Sequence, residues 1–421
     1  MIVELINTGS ELMLGRVLNT HQQWLCRRLA DVGAVVTRQI AVPDTADAIT
    51  AAVRESLSRA DLVVTTGGLG PTSDDLTRQA IADMLGLALH EERSVAERIE
   101  NYFKARNRPM PPSTRIQAMV PKGAIVLINQ NGTAPGLALR IEPNPFRQAT
   151  QALLIMLPGP PRELRPMFTE SALPLIKSHW SDLNFVCRTL RSAEIGESVV
   201  EETIGPLLAP LVSRGLELGY CARPGRVDVR MAARGPGAGS LVAQAETVTR
   251  SQLGGCIYGA DDDDMETVIV RALSERRETL ALAESCTGGL IAHSITNVPG
   301  ASAVLLAGIV CYSNDSKIRL LGVDPDIIAQ HGAVSEACCR QMAEGALKVS
   351  GATFALAVTG IAGPSGGTPQ KPVGTVFIGL AGPFQTVVER RHNPFDRETF
   401  KQVTVNQALN LLRRNALCPN G

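Results

Sequence analysis

The apolar positions of the chain fall into short unbroken runs separated by stretches of helical period. Residues 2–6, 34–42, 62–66 and 153–157 are continuous Val/Ile/Leu-rich runs, whereas 20–32 and 47–59 repeat their apolar residues every three or four positions. Unbroken runs are expected of strands buried on both faces. The pattern therefore predicts a parallel sheet covered by helices, with ligands bound at the carboxyl ends of its strands. Beyond residue 177 the rhythm changes: 184–195, 216–223 and 227–233 read as strands joined by short Gly/Pro-rich turns and one helix, 197–208, which describes a small α+β module. The acidic run 261–264 opens a new helix, 265–275, and reads as a domain boundary rather than a metal site. From residue 280 the βα alternation resumes, with strands at 280–284, 307–312, 354–359, 373–380 and 385–392, helices from Gly288 and Asp315, and a final helix over 397–414.

Length and composition agree with several soluble domains. A chain of 421 residues exceeds what one hydrophobic core usually serves, and 44% hydrophobic residues supply enough for more than one. Lys+Arg 41 balances Asp+Glu 41, so no global field draws the chain to nucleic acid, and direct nucleic-acid binding is not expected. No apolar segment is long enough to cross a bilayer and no basic stretch leads into one, so a cytoplasmic protein without membrane contact is expected. The nine cysteines, Cys418 included, contain no Cys-x-x-Cys pair, and the six histidines stand at no ligand spacing. Neither a disulfide framework nor a zinc site is indicated.

Two regions carry candidate chemistry. In the first, Thr65-Thr66-Gly67-Gly68-Leu69-Gly70-Pro71-Thr72-Ser73-Asp74-Asp75 joins a strand to a helix expected over 75–85. Glycines let backbone N–H groups approach phosphate oxygens, and the helix start adds further donors, so Thr66, Gly67, Gly68, Gly70 and Thr72 are phosphate-binding candidates. Asp74 and Asp75 could hold a divalent cation, or simply cap the helix. A second glycine-rich loop, Thr8-Gly9-Ser10-Glu11, follows the first strand and would sit at the same sheet edge, adding Gly9 and Glu11.

In the second region, Ala283-Glu284-Ser285-Cys286-Thr287-Gly288-Gly289 again joins a buried strand to a helix, and Glu284, Ser285, Thr287, Gly288 and Gly289 are candidates for substrate binding. Further on come Ser302, then Tyr312 and Lys317 around the end of the next strand. A serine without a histidine needs another base, and a lysine held away from water is the best-attested substitute, so Ser302 with Lys317 and Tyr312 is one nucleophile arrangement. Cys286 at a helix start is the other.

These residues resemble the CinA family. The N-terminal motifs, with Asn19-Thr20, Gly132-Thr133-Ala134-Pro135-Gly136 and Leu157-Pro158-Gly159-Pro160-Pro161-Arg162-Glu163-Leu164, are similar to its molybdopterin-binding-like domain. Glu284 to Gly289, Tyr312-Ser313-Asn314 with Lys317, His331-Gly332-Ala333-Val334-Ser335, and Thr359-Gly360-Ile361-Ala362-Gly363-Pro364 with Lys371 to Val376 are similar to its C-terminal domain. The resemblance implies three domains: a molybdopterin-binding-like three-layer α/β domain at 1–178, a small α+β KH-like middle domain at 182–259, and a C-terminal α/β deamidase domain at 264–418. It implies amide hydrolysis of nicotinamide mononucleotide, with Ser302 as nucleophile, Lys317 and Tyr312 as its activating partners, Thr359 in the active site and Arg397 near the substrate. For the N-terminal domain it implies an ADP-ribose pyrophosphatase using a divalent metal (Mg or Co) and potassium, although Thr114 and Ile116 stand where the family has Asn and Lys. No cofactor is expected for the deamidase, and a homodimer is expected. The middle module lacks a Gly-x-x-Gly loop flanked by basic residues, so it reads as a spacer or dimerisation element. Two rival readings are a non-catalytic competence or DNA-damage partner and an N-terminal domain acting on a molybdopterin intermediate.

Overall fold

The computed structural model describes residues 1–147, 150–180 and 184–417. The boundary positions 182 and 418, and Cys418 with them, lie outside the described residues. The chain divides into two compact units, one of residues 1–186 with 234–236 and one of 187–233 with 237–421.

The first unit is built on a six-stranded sheet. Four strands, Val36–Val42, Val3–Thr8, Leu62–Thr66 and Ala152–Leu157, run parallel in that order, with Asn7 opposite Thr66 and Thr66 opposite Leu157. The last three are buried along their whole length, as their continuous apolar runs require. Two further strands, Gly136–Ile141 and Ile125–Leu127, extend the sheet antiparallel. The expected parallel sheet is thus a mixed one, because these two strands are short and their polar flanks leave no distinct period. Separate apolar clusters cover the two faces, one centred on Ile49, Val53 and Ile81, the other on Leu25, Leu29, Leu164 and Phe168. That is the three-layer arrangement.

In the second unit a four-stranded sheet is ordered Glu217–Arg223, Arg226–Arg234, Phe185–Ala193 and Ile257–Ala260, its first two and its last two strands antiparallel, with the helices Glu197–Val212 and Ala238–Leu253 packed on it. The first helix runs past the expected end at 208 to Val212. The C-terminal part has a five-stranded sheet: Leu305–Val310, Leu280–Glu284 and Phe354–Gly360 are parallel, followed by Thr375–Ala381 and Thr386–His392 antiparallel. Glu194 is clasped by Arg391 at 3.4 Å and Arg414 at 3.5 Å, and Arg226 pairs with Glu266 at 3.1 Å, tying the four-stranded sheet to the C-terminal part of this unit. No helix among the described residues is long and apolar enough to cross a membrane.

Candidate active sites at two strand edges

The C-terminal site forms where three parallel strands end. Ser285 directly follows Leu280–Glu284, Cys311 and Tyr312 follow Leu305–Val310, and Thr359 closes Phe354–Gly360. Lys317 comes from the helix Asn314–Leu321 and is only 1% exposed. Its Nζ donates to Ser285 Oγ at 3.1 Å, to Cys311 O at 2.9 Å and to Tyr312 O at 3.1 Å. A buried lysine aimed at a serine hydroxyl, with no carboxylate among these partners, is a nucleophile–base geometry.

The serine that Lys317 faces is Ser285, not Ser302. Ser302 is exposed on the short turn Ala301–Ala303, at the amino end of Leu305–Val310, whereas Tyr312 and Lys317 follow the carboxyl end of the same strand. Six residues of strand separate the ends by roughly 20 Å at about 3.3 Å per residue, so within one chain Ser302 cannot reach Lys317. Cys286 is the weaker candidate on other grounds: burial pushes its thiol up to about 12, which disfavours the thiolate.

Glu284, expected to bind substrate, is instead consumed by its own loop. Its Oε2 accepts from Thr287 Oγ1 at 2.7 Å, Gly289 N at 3.0 Å and Ile291 N at 3.0 Å, and its Oε1 from Ala292 N at 2.8 Å. A carboxylate at the start of Leu290–Thr296 satisfies the otherwise unpaired helix donors and fixes the 285–289 loop around Ser285. Thr287 is fully buried, and its hydroxyl is spent on the same acid. Gly288 and Gly289 have φ of 64° and 95°, which only glycine adopts without strain.

Thr359 is buried, and its hydroxyl donates to Ala333 O at 2.8 Å, which anchors the loop after His331. Arg397, at the start of the helix Arg397–Leu412, donates to Gly363 O and to Tyr312 Oη, both at 3.0 Å, so it holds the tyrosine ring in place. One cation was missed in the sequence. Lys401, one helical turn beyond Arg397, brings its Nζ to 4.0 Å from where a Cβ on Gly288 would stand, and it makes no ion pair or hydrogen bond among the described residues. The signal was its i+4 spacing from Arg397, which puts both on one face of the helix.

The N-terminal candidates also meet at one edge, where Val3–Thr8, Leu62–Thr66 and Ala152–Leu157 end. Gly67 (φ 97°) and Gly68 (φ 66°) turn so tightly that a Cβ would lie 2.6 Å from Thr8 O and 2.0 Å from Thr77 Oγ1 respectively. A Cβ on Gly159 would stand 3.8 Å from Gly67 Cα, so the segment after Ala152–Leu157 packs on the same turn. Glu11 folds its carboxylate over Gly9. The Thr66 hydroxyl donates to Asn7 Oδ1 at 3.0 Å and is part of the scaffold. Thr72 gives both its N–H and its hydroxyl to Asp75 Oδ2. A Cβ on Gly70 would lie 2.3 Å from the same Asp75 oxygen. Asp75 is thus folded back on its own loop. Among the described residues no group of three or more His, Cys, Asp or Glu is placed to hold a metal ion. Thr114 is buried, and Ile116 is half exposed on the turn Pro112–Ala118.

Comparison with known proteins covers the whole chain. Residues 262–416 match the CinA C-terminal domain, 187–259 the damage-inducible protein CinA KH domain, and 4–178 a family described as a probable molybdopterin binding domain. A CinA-like protein of Akkermansia muciniphila is 44% identical over 97% of this chain and 95% of its own length. A Moorella thermoacetica protein named as competence-damage inducible is 42% identical over 99% of both chains. Among solved structures, the competence/damage inducible protein CihA from Agrobacterium tumefaciens is 41% identical, covering 35% of this chain and 91% of that one, with a TM-score of 0.35.

Proposed function

Taking as premise that the chain belongs to the CinA family, we propose that its C-terminal site hydrolyses the carboxamide of nicotinamide mononucleotide. The observation that carries this reading is the buried contact between Lys317 Nζ and Ser285 Oγ. Lys317 takes the hydroxyl proton as Ser285 Oγ attacks the amide carbon. The N–H groups of Cys286 and Thr287, which follow the nucleophile in the loop that Glu284 holds rigid, receive the developing oxyanion. The C–N bond breaks, the proton passes from Lys317 to the leaving ammonia, and water then hydrolyses the ester with Lys317 again as base. Lys401, beside Gly288, pairs with the phosphate, and Arg397 orients Tyr312. No cofactor enters this reaction. The test is to incubate the protein with nicotinamide mononucleotide and assay ammonia and the acid product by mass. No ammonia release would sink the reading.

For the N-terminal unit the reading is a hydrolase of ADP-ribose, supported by the glycine turns at Gly67 and Gly68, whose backbone can approach a diphosphate closely. A divalent ion, with potassium, enters only as a counter-ion carried by the diphosphate. Formation of AMP and ribose 5-phosphate tests this, and protection from heat by a pterin rather than by ADP-ribose would favour the molybdopterin alternative. The compartment is read as the reducing cytoplasm, which eight unpaired described cysteines support.

A further inference from the structure

The N-terminal edge contains a buried acid that the cradle does not explain. Glu163, on the first turn of the helix Pro161–Met167, is 9% exposed. Asn129 Nδ2 donates to its Oε2 at 2.7 Å and to Ala134 O at 2.8 Å, so one amide pins both the acid and the 129–134 loop. That loop lies directly on the carboxylate, since a Cβ on Gly132 would come within 2.2 Å of Oε2. The loop brings no ionisable side chain, and the facing charge is Arg162 on the same helix, 4.0 Å from Oε1 and itself three-quarters exposed. Burial therefore prevails and pushes the Glu163 carboxyl up.

A structural bridge to Asn129 would be served as well by glutamine, which accepts the same hydrogen bond with no charge to desolvate; keeping an acid here costs stability. The surroundings supply a reason for it. The segment leading to Glu163 packs through Gly159 on Gly67, and its partners Asn129 and Gly132 line a cavity of about 140 Å³ with Ser94, Val95, Ile99 and Pro135. The residues that touch the Glu163 carboxylate thus line an open cavity, and the segment that leads into its helix packs on the phosphate cradle.

We infer that Glu163 is the general base of the N-terminal hydrolysis, a role that rests on the diphosphate reading above. Its carboxylate takes a proton from water while the water oxygen bonds to phosphorus; the bond from that phosphorus to the bridging oxygen breaks, and its electron pair leaves on the departing phosphate. A carboxyl whose proton affinity is raised is a stronger base than a surface glutamate.

The experiment compares the full chain with Glu163→Gln and Glu163→Asp on ADP-ribose. Glu163→Gln is expected to lose about a hundredfold or more in turnover, while protection from heat by ADP-ribose and deamidation of nicotinamide mononucleotide persist. The acid limb of the parent's pH–rate profile should vanish in Glu163→Gln and return with lower turnover in Glu163→Asp. Turnover within a few-fold of the parent in Glu163→Gln, or loss of protection together with turnover, overturns the assignment in favour of a structural acid. A parent chain that hydrolyses no ADP-ribose overturns the diphosphate reading itself, and the base with it.

Discussion

Lys317 Nζ and Ser285 Oγ stand 3.1 Å apart although thirty-two residues separate them along the chain. Parallel strands cause this: each returns the chain to the same sheet edge, so the turn after Leu280–Glu284 and the helix after Leu305–Val310 meet there. The first prediction follows from it. Ser285→Ala and Lys317→Ala should each lower deamidation by about a thousandfold or more, while Ser302→Ala keeps nearly all of it. Steady-state ammonia release measures all three, and an inactive Ser302→Ala beside an active Ser285→Ala would reverse the roles.

Cys286 offers a control. With its thiol pushed up to about 12, the reactive thiolate is scarce at any pH below that, so Cys286→Ala should retain most activity. Iodoacetamide at neutral pH should inactivate the parent and Cys286→Ala at the same slow rate. Rapid inactivation of the parent alone would show a reactive thiol.

Glu284 receives four hydrogen bonds in the interior, from Thr287, Gly289, Ile291 and Ala292. Glu284→Gln turns one acceptor into a donor facing backbone N–H groups, so a loss of at least about 1.5–3 kcal/mol is expected. Denaturant unfolding monitored through the C-terminal domain reads it, and an unchanged midpoint would show that the loop does not depend on this acid.

Lys401→Ala should raise KM for nicotinamide mononucleotide by about ten- to a hundredfold, the equivalent of one charge-assisted hydrogen bond, with little change in kcat. The nucleoside lacking the phosphate should lose this sensitivity. Equal effects on both substrates would take Lys401 out of phosphate recognition.

Gly68→Ala places a methyl group 2.0 Å from Thr77 Oγ1 at a φ of 66°. A strain of about 1–3 kcal/mol is expected, with loss of protection by ADP-ribose and unaltered deamidation below the unfolding transition. Calorimetry with and without the ligand checks it; retained protection would remove the glycine turn from the binding site.

The architecture was legible because its determinants are local. Unbroken apolar runs marked Leu62–Thr66, Ala152–Leu157 and Leu280–Glu284, and glycine-rich turns after them marked both sites. The short antiparallel strands Ile125–Leu127 and Gly136–Ile141 escaped notice, since three and six residues leave little period to read. The roles within each site were not local. Ser302 and Tyr312 are close in sequence, yet a strand carries them to opposite edges, whereas Ser285 and Lys317 are distant and meet. Glu284 has the look of chemistry in the sequence, but the folded helix start claims both its oxygens, and Asp75 is claimed likewise by Thr72. The sequence by itself determined which segments form the sheets and where their ligand-facing loops fall, because burial and turn chemistry act over a few residues. Only the tertiary structure decided which serine faces the lysine and which acids remain free, because those depend on where strand ends converge and on which donors the backbone leaves unpaired.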